Sequence, residues 1–171
     1  IMLVDGVFAF PTDYVEDFIP AHLFNISIII SDINMVRDIA KDIPSLFWKM
    51  AGEFWPGQLT LILKASSTLP THLLGFGDSI GVRLPAHPWV RELLNETAFP
   101  ITATSANISG EKEIANPEII KDSFFGLVDL IVDGGETRGA LPSTVIDLTS
   151  AKPVILREGV VPRSALGKYL E

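Results

Sequence analysis

Cysteine is absent from the 171-residue chain. That removes disulfide frameworks and thiolate metal sites, and it fits a reducing compartment, so a cytoplasmic protein is expected. Histidine is scarce: His22, His72 and His87 stand far apart with no H-x-x-x-H pair, so no zinc site is expected. Basic residues are outnumbered, 13 against 21 acidic, for a formal net charge of −8. A broad electropositive face for nucleic acid is therefore not expected, although a local basic groove is compatible with this balance. No apolar run reaches the length of a membrane span, and Ile1-Met-Leu-Val carries no basic leader or cleavage pattern, so neither a membrane anchor nor a signal peptide is expected. The G-x-x-x-x-G-K-S/T phosphate loop, the G-x-G-x-x-G dinucleotide turn and the G-x-S-x-G elbow are all missing. No pair of carboxylates stands out as an acid–base dyad.

What remains is an ordinary globular composition, 47% hydrophobic and 20% charged, at the usual size of one domain. Short β-branched runs alternate with helix-length segments. Strands are expected at 1–10 (broken at Asp5-Gly6), 26–31, 59–64, 80–84, 100–104, 128–132, 143–148 and 154–156. Helices are expected from Asp32 to about Lys41, from Pro44 to about Phe54, over Trp89–Thr97 and from an Asn116 cap through Pro117, with a last helical turn at 166–170. The alternation predicts an α/β layered domain. The short link between Leu148 and Val154 predicts an antiparallel pair there.

The polar residues cluster at strand ends. Pro100-Ile-Thr-Ala-Thr-Ser-Ala-Asn-Ile-Ser-Gly110 packs Thr102, Thr104, Ser105, Asn107 and Ser109 into one turn whose amides suit an anion. Pro56-Gly57 leads into a strand that begins near Thr60, which could point a hydroxyl into a groove. Arg83 sits inside a short strand, where a charge needs a partner or a cleft; a guanidinium there suits a carboxylate or phosphate. Ser143 and Thr144 stand at the mouth of one strand and Arg157 at the end of the next. Hydroxyls and arginines gathered at strand ends suit an anionic ligand. These groups position reactants; none is a nucleophile beside a base. Phosphoryl and nucleotidyl transfers are commonly catalysed in that way. His87, between Ala86 and Pro88, reads as a turn residue.

In this order, Phe10-Pro-Thr-Asp13, Phe54-Trp-Pro-Gly57 with Thr60, Gly81-Val-Arg-Leu-Pro85 with His87-Pro88, Thr104-Ser-Ala-Asn-Ile-Ser-Gly110, Ser143-Thr-Val-Ile-Asp147 and Ile155-Leu-Arg-Glu-Gly159 resemble the YrdC family of threonylcarbamoyl-AMP synthases. The resemblance spans nearly the whole chain. It implies a single YrdC-like α/β domain over residues 1–171, with a twisted mixed sheet flanked by helices and a deep open groove. It implies a nucleotidyltransferase, L-threonylcarbamoyladenylate synthase, that converts L-threonine, bicarbonate and ATP to threonylcarbamoyl-AMP and pyrophosphate. The product would feed tRNA threonylcarbamoyladenosine modification by a downstream transferase, and any RNA binding by this chain would be weak. Carried over by position, Arg83, Ser105, Ser143 and Thr12 would contact L-threonine, and Ser79, Asn107 and Arg157 would contact ATP. Mg2+ is expected with the phosphates, though no protein ligand for it is identifiable.

The chain departs from the family after Pro11-Thr-Asp13. The family's Thr-x-Tyr-Gly-Leu and Lys-x-Arg motifs do not occur before Ile26, and the N-terminus and the 14–25 region look truncated. Two explanations stay open: a loop absent from this sequence, which the completeness of the other motifs favours, or a loss of basic groups that bind phosphates. The second would suit a non-catalytic YrdC-like protein that binds nucleotide or RNA in connection with translation. A carbamoyl-transfer module like that of hydrogenase maturation proteins ranks third, because the acylphosphatase and zinc-finger regions that accompany it there have no counterpart here.

Overall fold

Three hydrophobic stretches, Ser27–Ile29 (β3), Leu59–Lys64 (β4) and Ser79–Arg83 (β5), lie side by side and organise the rest of the chain. The computed structural model describes residues 2–4, 7–10, 27–103, 117–126, 128–133 and 141–170. Met2–Val4 (β1) and Val7–Phe10 (β2) form an antiparallel pair, and Leu130–Asp133 (β7) adds to β2 in a three-stranded sheet. The break anticipated at 5–6 therefore separates two strands. Ile101–Ala103 (β6), Thr144–Asp147 (β8) and Val154–Arg157 (β9) complete a six-stranded sheet in the order β6-β3-β5-β4-β8-β9.

That sheet is mixed. β3 runs parallel to β5 and β4 parallel to β8, while β6–β3, β5–β4 and β8–β9 are antiparallel. The β8–β9 pair bears out the orientation read from its short link.

Asp32 caps the next turn as its sequence position predicts: its carboxylate accepts the Asn34 N–H at 2.7 Å. The turn is tighter than an α-helix over Ile33–Met35 and relaxes into a short helix, Val36–Ile39 (α1). Pro44 sits just outside Ser45–Phe54 (α2), where its extended backbone starts the helix. Pro88 opens Pro88–Thr97 (α3), and Pro117 opens Pro117–Phe124 (α4). The last helix, Arg163–Leu170 (α5), is longer than the single turn expected.

The two faces of the sheet are covered differently. Side chains alternate along a strand, so β4 sends Leu59, Leu61 and Leu63 one way and Thr60 and Ile62 the other. The first set joins Ile28, Ile30, Ile80, Val82 and Ile146 in the larger core, with Val36, Phe47, Met50 and Leu166 from the helices. The opposite face carries a smaller cluster, Ile29, Ala103, Val90 and Leu94, under α3. The polar residues of interest lie on this second face.

Candidate functional site

Strand register places the sequence motifs in one row. Ile29 pairs with Arg83, Thr60 pairs with Val145, and Val145 pairs with Arg157. The last pair between β4 and β5 on that side, Leu61 with Val82, brings Thr60 and Arg83 to the next step of the ladder. The row crosses β5, β4, β8 and β9 at one end of the sheet. Arg83 and Arg157 are at strand C-termini, while Thr60 and Ser143 are at the starts of β4 and β8. Strands spaced about 4.8 Å apart put the two arginine backbones on the order of 14 Å from one another.

Buried hydroxyls fill the middle of the row. Thr60 is 3% exposed and Ser143 8%, and their hydroxyl oxygens are 2.9 Å apart. Arg157 Nη2 donates to the Ser143 hydroxyl at 3.1 Å, and its Nε donates to the Ser143 carbonyl, also at 3.1 Å. Ser143 is thus held by a cation on one side and a hydroxyl on the other. Among the described residues no carboxylate or imidazole takes its proton, so none of them activates it as a nucleophile. When Thr60 donates to Ser143, the Ser143 proton is left for an acceptor on a ligand.

Arg83 is anchored in the same way. Its Nε donates to the Gly57 carbonyl at 2.9 Å. The turn that offers this carbonyl is pinned twice, by the Gly57 N–H on the Leu84 carbonyl at 2.9 Å and by the Trp55 indole N–H on the Leu59 carbonyl at 2.7 Å. Gly57 is needed here, because a Cβ would sit 2.3 Å from the Phe54 carbonyl oxygen. In both arginines the Nε bond fixes the plane of the guanidinium and so the direction of its terminal nitrogens. Two planar cations flanking two buried hydroxyls can hold two anionic groups, or two molecules that meet between them.

Ser79 is not brought into this row. It lies four residues before Arg83, about 13 Å along β5, paired with Lys64 at the opposite end of the sheet. It is buried, and its hydroxyl donates to the Phe76 carbonyl at 2.7 Å. Thr12, Ser105 and Asn107 fall outside the described residues. His87, read from sequence as a turn residue, is the residue just before α3, with extended backbone. Among the described residues no group of three His, Asp or Glu side chains could hold a metal ion, and no helix is long and apolar enough to cross a membrane. Sequence reading grouped the Thr144 hydroxyl with Ser143 as suited to an anionic ligand and gave Gly159 no role; the structure instead buries Thr144 and spends its hydroxyl on the backbone of Gly159 and Val161. Both lie inside the quoted motifs, but what they do depends on contacts made 15 or more residues away.

Residues 24–159, almost four-fifths of the chain, match the Sua5/YciO/YrdC family profile, described as "Telomere recombination". The chain belongs to the Sua5/YciO/YrdC family. The threonylcarbamoyl-AMP synthase of Pyrococcus abyssi is 40% identical over 141 residues, which cover 82% of this chain and 42% of that protein. The structure of P. abyssi Sua5 complexed with L-threonine superposes with a TM-score of 0.82 at 34% identity, over 96% of this chain and 54% of the other. The crystal structure of Escherichia coli YciO superposes with a TM-score of 0.78 at 30% identity, over 96% of this chain and 87% of the other. The chain thus spans about half the length of the Pyrococcus synthase, and most of the length of YciO. The mixed six-stranded sheet with its helices is the architecture shared by these Sua5 and YciO structures.

Proposed function

We propose that this chain is a threonylcarbamoyl-AMP synthase domain. It would join the amino group of L-threonine to bicarbonate as a carbamate with loss of water, and transfer the adenylyl group of ATP to the carbamate oxygen, releasing pyrophosphate. One observation carries the reading: a fold that superposes on a Sua5 structure complexed with L-threonine also gathers Arg83, Thr60, Ser143 and Arg157 into one row. Arg83 would grip the threonine carboxylate, with Ser143 oriented beside it. Arg157 would hold a phosphate of ATP, and the carbamate and the α-phosphate would meet between them. The chain contributes position and fixed positive charge, which suits an in-line nucleotidyl transfer. Thr12, Ser105 and Asn107 would complete the two subsites. Ser79 would reach ATP only if the nucleotide extended round the far end of β5. With no acidic cluster among the described residues, Mg2+ would be carried on the phosphates more than by the protein. The product would pass to the transferase that modifies a tRNA adenosine, in the cytoplasm.

A second reading rests on a different observation. No lysine or arginine occurs before Arg37, so the basic motif that the family carries in this region has no counterpart. A nucleotide-binding protein without turnover would fit that absence.

The deciding experiment is pyrophosphate release by the protein supplied with ATP, L-threonine and bicarbonate, and with each omitted in turn. Synthase activity requires all three, and Arg83→Ala lowers it between about 10- and 100-fold, the loss expected for a charge-assisted grip. ATP binding that Arg157→Ala weakens, with no pyrophosphate released, would establish the second reading.

A further inference from the structure

Thr144 follows Ser143 but faces away from the row, into the body of the protein, and is fully buried. Its hydroxyl donates to the Val161 carbonyl at 2.7 Å and accepts the N–H groups of Gly159 at 2.9 Å and Val161 at 3.1 Å. A hydroxyl has one proton and two lone pairs, so this one is fully occupied and offers nothing to a ligand. All its bonds go to the segment just after Arg157. That segment lies tightly on the residues around Ser143. A Cβ on Gly159 would stand 2.0 Å from the Pro142 carbonyl oxygen and 2.7 Å from both the Ser143 carbonyl carbon and the Thr144 nitrogen. The Val160 N–H donates to the Pro142 carbonyl at 3.0 Å. Arg157 enters this wrap two residues before Gly159, with its Nε on the Ser143 carbonyl.

We propose that Thr144 is a positioning residue that sets Arg157 and Ser143 in their mutual register. Its hydroxyl ties residues 159–161 to the start of β8. The guanidinium of Arg157 therefore arrives over Ser143 at a fixed distance and angle, and Thr144 acts on ligands only through that pair. A strand position alone would be served as well by valine; only the hydroxyl distinguishes threonine there. The effect on ligands rests on the reading of Arg157 and Ser143 as ligand-holding groups.

Two measurements on Thr144→Val and Thr144→Ser test this, both in the full chain. The first needs no ligand: the Arg157 Nε–H is followed by proton–nitrogen NMR, its signal assigned by its loss in Arg157→Ala. Its exchange with water should quicken at least about tenfold in Thr144→Val and return close to the starting value in Thr144→Ser. The second is ATP affinity in a double-mutant cycle. Thr144→Val should weaken ATP by about tenfold in the parent chain and by less than about twofold in the Arg157→Ala background. Unchanged Arg157 protection in Thr144→Val, or losses that simply add, would overturn the proposal. If Arg157→Ala leaves ATP affinity unchanged, the reading of the site fails, and the exchange measurement still judges the positioning. Thr144→Ala carries the same expectations should Thr144→Val not fold.

Discussion

Arg83 and Arg157 share one device: the Nε of each spends its hydrogen on a backbone carbonyl, Gly57 in one case and Ser143 in the other. Lysine keeps the charge but has no equivalent of Nε, so its ammonium would swing. Arg157→Lys should therefore lose about tenfold in ATP affinity, measured by calorimetry, while the thermal midpoint stays within a few degrees of the parent. Gly159→Ala belongs to a different class. Its methyl would collide with backbone atoms that cannot rotate aside, and a loss of about 2 kcal/mol or more is expected in urea unfolding. The two arginines were legible in the sequence because a charge inside or ending an apolar strand is anomalous on its own. Thr144 and Gly159 were not, because a threonine in a β-branched run and a glycine after a strand are locally ordinary. Their roles appear only when residues 142–144 and 159–161 meet.

Between elements, α5 is clasped to α2 by an exposed trio. Glu53 accepts from the Lys168 ammonium at 2.7 Å and also from the Tyr169 hydroxyl. The hydrogen bond from Lys168 holds the Glu53 carboxyl below the usual range, and its bond to Glu53 raises the Lys168 ammonium. Tyr169 is raised by its bond to the same carboxylate. The depressed carboxyl contributes stability above its unfolded-state value and loses it as pH falls through the folded one. The two raised groups contribute below their unfolded-state values and lose that as pH rises through the folded ones. Glu53→Gln should consequently flatten both the acid and the alkaline limbs of a thermal-midpoint profile and matter most between them, where the contribution of the trio is fully present. Because these groups are open to solvent, the change should be small and should shrink in high salt. The sequence reading captured β4 residue for residue and α2 and α3 to within one residue, because long apolar runs and proline starts are strong local signals. It shortened α5, whose hold depends on a partner over 100 residues earlier. It marked the break at Asp5-Gly6, on either side of which the antiparallel β1 and β2 lie.

For the molecule as a whole, two cores of unequal size sit on opposite faces of one sheet. Phe47 is fully buried in the larger, with edge-to-face contacts to Trp48 and Trp55 at centroid separations of 5.0 and 5.4 Å. Phe47→Ala should cost about 3 to 5 kcal/mol of unfolding free energy, read from urea curves. The α/β class, the mixed sheet and the family were all legible beforehand, because alternating short strands and helices leave few architectures and the motifs recur in order. The row of Arg83, Thr60, Ser143 and Arg157 was legible as a list, but the separation of Ser79 from it was not. Only the antiparallel register of β4 and β5 sends Ser79 to the other end.

Thr60 and Ser143 lie 83 residues apart in sequence yet share a hydrogen bond. The strand that carries Thr60 is the longest of the sheet and buried over Leu59–Leu63, and β5 follows it closely in sequence, but its other neighbour, β8, begins only at Thr144. At ribosomal speeds of about 5 to 20 residues per second, that margin of β4 stays open for roughly 4 to 16 s. A nascent chain thus presents an unpaired hydrophobic edge, the kind of surface on which chains aggregate. The arrival of β8 and β9 covers that edge and, in the same event, brings Ser143 and Arg157 to Thr60 and Arg83. An unfinished chain would be sticky toward its own kind and indifferent to ligand; the finished one reverses both properties together.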